Sequence, residues 1–503
     1  MAKTIGIDLG TTYSAASVVG AAGLPEMVRN SEGQTITPSV VYFDGDGVLV
    51  GQQAKNQRVV APHDVVEFVK RQMGSDSWSC YTPEGTRYTA EAVSALILKK
   101  LAADAEIALG EDISGVVITV PAYFSDAQRL ATKQAGEIAG LNVISVINEP
   151  TAAALSFAVE QKYNGMIMVY DLGGGTFDVT ILRARDGDFD IVHTAGDRNL
   201  GGFDFDNAIM AWAKEQFEQR TGLRLEEDSD EAMLRDRSEQ AKHRLSSADQ
   251  APMFVASQGR NEKLLLTREE FERLTSGLLG RTEMLVEEVI DESGVDPREI
   301  DKVLLVGGST RMPMVREMLQ RLTGRTPDQT VHPDEAVARG AAIVSALRGQ
   351  QGHGSPLIAT DHEIVIRDVV SHGLGVVADN EQGISENSII IPANSTIPCQ
   401  EAREFYTVVD QQTQLLVQVT EGEDTDLRYV NRLGQSELRI PPHPAHSPVQ
   451  VIFSCDIDGM LHIEVVDLVD NHRLGEFEID RAANLDREDV DSLRRDIARV
   501  DVS

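Results

Sequence analysis

The sequence predicts an α/β domain built from two related halves, then an antiparallel β domain and one short terminal helix. Three observations carry this. The segments Ile5-Gly-Ile-Asp-Leu-Gly-Thr-Thr12 and Val169-Tyr-Asp-Leu-Gly-Gly-Gly-Thr176 repeat one design, an apolar strand that delivers an aspartate into a glycine turn closed by threonine. Up to about residue 346, apolar strands alternate with long helical patterns. Further on, the apolar period changes to two, the period of strands with one buried face.

The repeated loop has a chemical meaning. Glycine lets the backbone turn tightly and bring N–H groups against phosphate oxygens, threonine adds a hydroxyl, and an aspartate at the strand end can hold magnesium through water. A single glycine loop is most often an ordinary turn. Two of them, one lobe's length of chain apart, would grip one nucleotide from opposite sides.

The elements follow in order. Residues 116–120 form a buried strand, 125–139 a helix and 143–147 another strand. Pro150 suits the first turn of the next helix, where no N–H is needed. Residues 264–289 carry Phe271, Leu274, Leu278, Leu285 and Val289 at helical spacing and predict one helix. Residues 303–306 form a strand that runs into Gly307-Gly-Ser-Thr310, a third ligand loop. Residues 348–361, rich in Gly, Gln and Ser, mark a domain boundary. Beyond it, Leu415, Val417 and Val419 alternate with Leu416, Gln418 and Thr420, and two strands flank the turn Asp456-Ile-Asp-Gly459, as in a β-sandwich. Asp486 caps a last helix with Val490, Leu493, Ile497 and Val500 on one face, and that stripe requires a docking surface. The predicted units are residues 1–347, a linker at 348–370, a β domain at 371–482 and the helix at 483–503.

Composition bounds the partners. At 503 residues and 42% apolar content the chain supports more than one core. With 46 Lys and Arg against 80 Asp and Glu, its net charge of −34 opposes binding to nucleic acid or anionic membranes. Cys80, Cys399 and Cys455 form neither a disulfide framework nor a zinc pattern, which fits a reducing compartment. No apolar signal or membrane-length run is found. Two local patterns carry no site. Gly373-Leu-Gly-Val-Val-Ala378 matches a dinucleotide loop but lacks a following apolar helix, and is read as a strand-edge coincidence. His443 and His446 among Pro441, Pro442, Pro444 and Pro448 are read as a solvated loop without metal.

The motifs GIDLGTTYS (6–14), VPAYFSDAQR (120–129), INEPTAAAL (147–155), DLGGGTFDV (171–179), LGGFDFD (200–206), VGGSTRMP (306–313) and HPDEAVARGAA (332–342) closely resemble the seventy-kilodalton heat-shock chaperones of the DnaK type. The resemblance covers nearly the whole chain. It implies an actin-like two-lobed ATPase domain with ATP or ADP and Mg2+ in the cleft, followed by a peptide-binding β-sandwich. By motif, Asp8 and Asp171 would organise magnesium through water. Thr11, Thr12, Gly173, Gly174, Gly175 and Thr176 would hold the phosphates, and Gly10, Tyr13, Gly201 and Gly202 would also bind the nucleotide. Lys70 would be the catalytic lysine at the γ-phosphate, and Glu149, Asp171, Asp178 and Thr176 would complete the catalytic shell. Glu239, Lys242 and Ser246, three and four residues apart on one helical face, would meet the nucleoside with Gly307, Gly308, Ser309, Arg311 and Asp334. Taken alone, that helix face is a solvated charged face. Phe405, Val408, Gln412, Leu415 and Val417 would line the peptide groove. For Leu415 and Val417 groove and sandwich core make the same demand, because an alternating strand buries one face either way.

Departures from the family bear on mechanism. The helical lid is missing from this sequence, so peptide exchange should be fast. Residues 378–386 are longer and more polar than usual, with Asp379 at an apolar position. Arg367 replaces a leucine in the linker Ile364-Val-Ile-Arg-Asp368, which should weaken docking of the linker. His243 and Ser145 stand where arginines are usual, the latter at a J-domain contact surface that keeps Asn148 and Thr151. The resemblance implies unfolded polypeptides as clients, a J-domain co-chaperone and a nucleotide-exchange factor as partners, and the bacterial cytosol as location. Two alternatives stay open: a nucleotide-switched adaptor with one dedicated partner, and, disfavoured by the β domain, a metabolic kinase on the same fold.

Overall fold

The computed structural model describes residues 3–45, 47–328, 330–349, 358, 362–380, 382–478 and 484–503. Each glycine loop of the repeat is the tip of a β-hairpin. Lys3–Asp8 pairs antiparallel with Tyr13–Val19, and Gly165–Leu172 pairs with Phe177–Arg185. In each half a parallel neighbour extends the first strand, Ile113–Val120 in one and Lys302–Val306 in the other. Val143–Asn148 adds to the first sheet and Asp188–Asp197 to the second.

Two helices, Glu149–Gln161 and Ala336–Gly349, share one core with both sheets: Val117, Val169, Ala152 to Leu155 and Ala341 to Val344 are buried together. The run of alanines in INEPTAAAL follows from that crowding. A Cβ on Gly340 would lie 1.8 Å from the Ala152 carbonyl oxygen, so the helices touch backbone to backbone.

Most expected elements are present. Ser125 caps Asp126–Ile138 with a full capping box, and Pro150 lies in the first turn of its helix. The long helix differs: Leu264 to Thr267 end the strand Arg260–Thr267, and the helix Arg268–Ser293 starts only after Thr267 caps it. Alternation decides this, since Leu264 and Leu266 are buried while Leu265 is exposed.

The β domain is a sandwich. Among the described residues, one four-stranded sheet contains Leu374–Asp379, Ser385–Ile391, Gln412–Glu421 and Asn431–His443, and the other Cys399–Tyr406, Pro448–Cys455, Leu461–Asp467 and His472–Glu478. Most of Gly373 to Ala378 lies inside the strand Leu374–Asp379 rather than at its edge, with Leu374 to Val376 paired on both sides. His443 is not in a solvated loop either. It is buried at its strand end, with Nε2 2.6 Å from Asp467 Oδ2, because its strand closes over the fully buried Asp467.

Described parts of the linker dock on the first domain, and its last residue, Val370, is buried in the sandwich core. The helix ending at Gly349 runs past residue 347, and Ile358 is buried in the same core. Most of the Gly, Gln and Ser segment lies outside the described residues. Val365–Arg367 then joins the second sheet as a parallel strand beside Asp188–Asp197. Arg367, expected to weaken this docking, pairs instead with Asp190 at 2.7 Å and Asp188 at 3.3 Å. A guanidinium suits an edge whose neighbour carries two carboxylates.

The β domain packs against the first. Asp458, in the predicted turn, accepts Ser145 Oγ at 2.6 Å and lies 3.0 Å from Arg348, so Ser145 faces the β domain with an arginine beside it. The terminal helix is Arg487–Arg499, capped by Asp486. Its stripe docks on the first lobe, with Val490 and Ile497 in that lobe's core, and Lys99 caps its end through the Ile497 and Val500 carbonyls. The tail continues beside Gly47–Val50, where the Val50 N–H donates to the Ser503 carbonyl and the Ser503 N–H to the Val48 carbonyl, each at 3.0 Å. No described helix is long and apolar enough to cross a membrane.

Candidate functional site

The two hairpin tips meet. A Cβ on Gly174 would lie 2.5 Å from the Thr12 side chain, and one on Gly175 would lie 2.6 Å from Thr11 Cγ2. The third loop joins them, since Ser309 Oγ donates to the Gly173 carbonyl at 3.0 Å. Gly307 has φ +81, and a side chain there would strike the Leu172 carbonyl oxygen at 2.4 Å. Three glycine loops, distant in sequence, thus form one wall.

That wall bounds a cavity of about 460 Å³, a volume suited to one nucleotide-sized ligand. Asp8, Gly10, Thr11, Thr12 and Tyr13 line it from the first lobe, with Lys70 and Glu149. Asp171, Gly173, Gly174, Thr176 and Gly202 line the opposite side. Glu239, Lys242 and Ser246 share one helix face on it, as their spacing predicts, beside Gly307, Gly308, Ser309, Arg311 and Asp334. Asp178, Gly175 and Gly201 are not on the wall. Gly175 and Gly201 pack on each other behind it, and Asp178 is buried with Oδ1 accepting the Tyr123 N–H at 2.9 Å.

Electrostatics concentrates at one end. Lys70 and Glu149 are buried in direct contact, and Asp8, Asp171 and Asp178 surround them. Burial and the Glu149 carboxylate push Asp8 and Asp178 each up to about 7, and hold Asp171 well above the usual carboxylate range. Four carboxylates around one ammonium favour additional positive charge. Asp178 Oδ2 is buried with no hydrogen-bond partner among the described residues. Such an all-oxygen set fits a hard divalent cation. The described group that brings three ligand atoms within 4.8 Å is His443, Asp467 and Asp470, not the cleft carboxylates, and the wider cleft spacing suits coordination through water.

Local structure supplies the anion side. Glu149 opens the helix Glu149–Gln161, and Gly202 opens Gly202–Thr221, so two helix N-termini end at the cavity. Lys242 is fixed by Asp206 and the Gly202 carbonyl, each at 2.8 Å.

Several wall residues escaped the sequence reading. Lys55 bonds Glu239 at 2.8 Å and Tyr13 at 3.0 Å, which joins the lobes across the cleft. Arg58, buried, pairs with Glu67 and lies 3.7 Å from Glu239. Phe68 and Arg235 complete that side. Asp206 lay within the LGGFDFD motif, four residues after Gly202, and could have been found there. Lys55, on a short helix, and Arg58, in the turn after it, carry no local signal beyond charge.

In the β domain the five expected groove residues divide. Val417 is buried in the sandwich core, Phe405 and Leu415 are half-buried against it, Gln412 bonds the Val408 N–H at 3.0 Å, and Val408 is 66% exposed.

The chain matches known proteins along nearly its whole length. The family model described as "Hsp70 protein" matches residues 4–502. A "Chaperone protein DnaK" of Thermotoga neapolitana is 42% identical over 477 residues, 92% of this chain and 78% of the relative. Those of Thermotoga petrophila and Thermotoga maritima are each 41% identical over 500 residues, 95% of this chain and 82% of theirs.

Proposed function

The chain belongs to the Hsp70 family, and from that premise we propose that it hydrolyses ATP to ADP and phosphate and couples nucleotide state to the binding of extended polypeptide. One observation carries the reading: buried Lys70, Glu149 and Asp171 stand where two glycine loops and two helix N-termini converge.

In this reading the glycine loops and Thr11, Thr12 and Thr176 hold the phosphates. Glu239, Lys242, Ser246, Arg311 and Asp334 take the nucleoside end. Magnesium, held by Asp8 and Asp171 through water, supplies charge neutralisation on the phosphate oxygens when bound. Lys70 places its ammonium against the γ-phosphate and the attacking water, and Glu149 and Asp178 orient that water. Gly175 and Gly201 act from behind, by letting the second loop approach the helix that starts at Gly202.

Coupling has a short route. Asp368 of the linker accepts Asn148 Nδ2 at 2.9 Å and Thr151 Oγ1 at 3.1 Å, the residues flanking Glu149 and Pro150. Linker docking thus touches the helix start that carries a cleft carboxylate. Partners of this kind of protein would be apolar extended polypeptides at Phe405, Val408, Gln412 and Leu415, over the core residue Val417, a J-domain co-chaperone and a nucleotide-exchange factor, in the cytosol.

The test is single-turnover ATP hydrolysis by the full chain with and without an excess of unstructured apolar peptide. Stimulation by peptide supports a coupled chaperone. Hydrolysis indifferent to peptide would remove the polypeptide half of the reading, and no hydrolysis would remove both halves.

A further inference from the structure

Lys70 sits on a one-turn 3-10 helix, Val69–Gln72, too short to hold itself. The residue before it, Phe68, has φ 58 and ψ 23, a left-handed conformation that a bulky side chain seldom adopts. Something outside the turn must hold it there.

Val69 and Met73 anchor the turn in the first lobe's core, and a second set of contacts comes from the other lobe. The Phe68 ring meets the Phe203 ring edge-on, with centroids 4.6 Å apart and planes at 62°. Arg71, next to Lys70, lies 4.8 Å from the Phe203 ring and 3.4 Å from Asp204. Arg235 lies over both rings, 4.7 Å from Phe203 and 5.6 Å from Phe68. Phe203 belongs to the helix Gly202–Thr221, and its N–H donates to the Gly174 carbonyl at 2.8 Å. One residue therefore holds the second glycine loop by its main chain and the Lys70 turn by its ring.

We propose that Phe203 is a positioning residue for Lys70, through which the lysine is held at its place in the cleft while the two lobes are closed. Phe68 and Arg71 belong to the first lobe, and Phe203, Asp204 and Arg235 to the second. Opening the cleft separates the rings and removes the second-lobe support of the turn, so the ammonium is held most closely in place when both glycine loops are together. The assignment rests on the hydrolytic reading of Lys70.

The experiment measures single-turnover ATP hydrolysis and the affinity for a fluorescent ADP analogue in full-length wild type, Phe203→Ala, Phe203→Tyr, Lys70→Ala and the Phe203→Ala/Lys70→Ala double variant. Phe203→Ala should slow hydrolysis roughly 10- to 100-fold, the scale of a small misplacement of a catalytic group, with affinity unchanged within about two-fold. Phe203→Tyr, which keeps the ring, should hydrolyse as wild type. In the Lys70→Ala background the alanine at 203 should add nothing. Phe68→Asn repeats the test from the first lobe, because asparagine tolerates the left-handed backbone while removing the ring. A wild-type rate in Phe203→Ala beside a slow Lys70→Ala overturns this assignment alone, as does an equal further loss in the double variant. A wild-type rate in Lys70→Ala overturns the hydrolytic reading and this assignment together.

Discussion

The cleft and the β domain place opposite demands on their residues. In the cleft, Lys70, Glu149, Asp171 and Asp178 are buried charges, and no packing reason would put them there. In the β domain, Val417, Leu415 and Phe405 are apolar residues on a sheet, and Val417 is simply core. Function is therefore legible in one region and hidden in the other. A site that binds phosphate needs costly groups in fixed places, whereas a site that binds apolar peptide uses the side chains any sandwich needs.

The largest test of that contrast is Lys70→Ala, which should lower single-turnover hydrolysis by roughly 10² to 10³, the scale of losing one strong transition-state contact. A near-normal rate would make the cleft lysine structural and erase the contrast. Next, Val417→Ala should destabilise the β domain by about 2 kcal/mol, as a fully buried side chain does, read from urea denaturation. A silent Val417→Ala with weakened peptide binding would move this residue from core to groove.

The third concerns protons. Asp8 and Asp178 are raised to about 7, so between their unfolded value near 4 and about pH 7 the folded chain without nucleotide binds more protons than the unfolded chain. Their contribution to stability is present below about pH 4 and is lost as pH rises through about 7. Binding of magnesium nucleotide favours the ionised carboxylates, so calorimetry near pH 6 in buffers of different ionisation enthalpy should report about one to two protons released, fading by about pH 8.5. Release that does not change with pH would place the charge elsewhere. The smallest effect is Val408→Ala. Stability should stay within about 0.5 kcal/mol because the side chain is exposed, while the affinity for an apolar heptapeptide, by fluorescence anisotropy, should fall roughly five-fold. Unchanged affinity would take Val408 out of the groove.

Local pattern marks most of the strands, the glycine loops and the kind of ligand they suit. Those rest on local rules: a period of two or 3.6, a turn that only glycine makes, and a helix start that tolerates proline. It likewise marked Glu239, Lys242 and Ser246 as one face, since helical spacing alone aligns them. The break between strand and helix at Thr267 was missed because Leu264 and Leu266 fit either period until their sheet is known. Only the tertiary structure decided that Lys55 and Arg58 face Glu239, that Arg367 has two aspartates beside it, that Arg348 and Ser145 meet Asp458, and that the terminal helix seats on the first lobe. These contacts join residues far apart in the chain. Charge and apolarity record that such side chains need a partner, but the partner's identity depends on how whole sheets and lobes pack, and no local pattern encodes that.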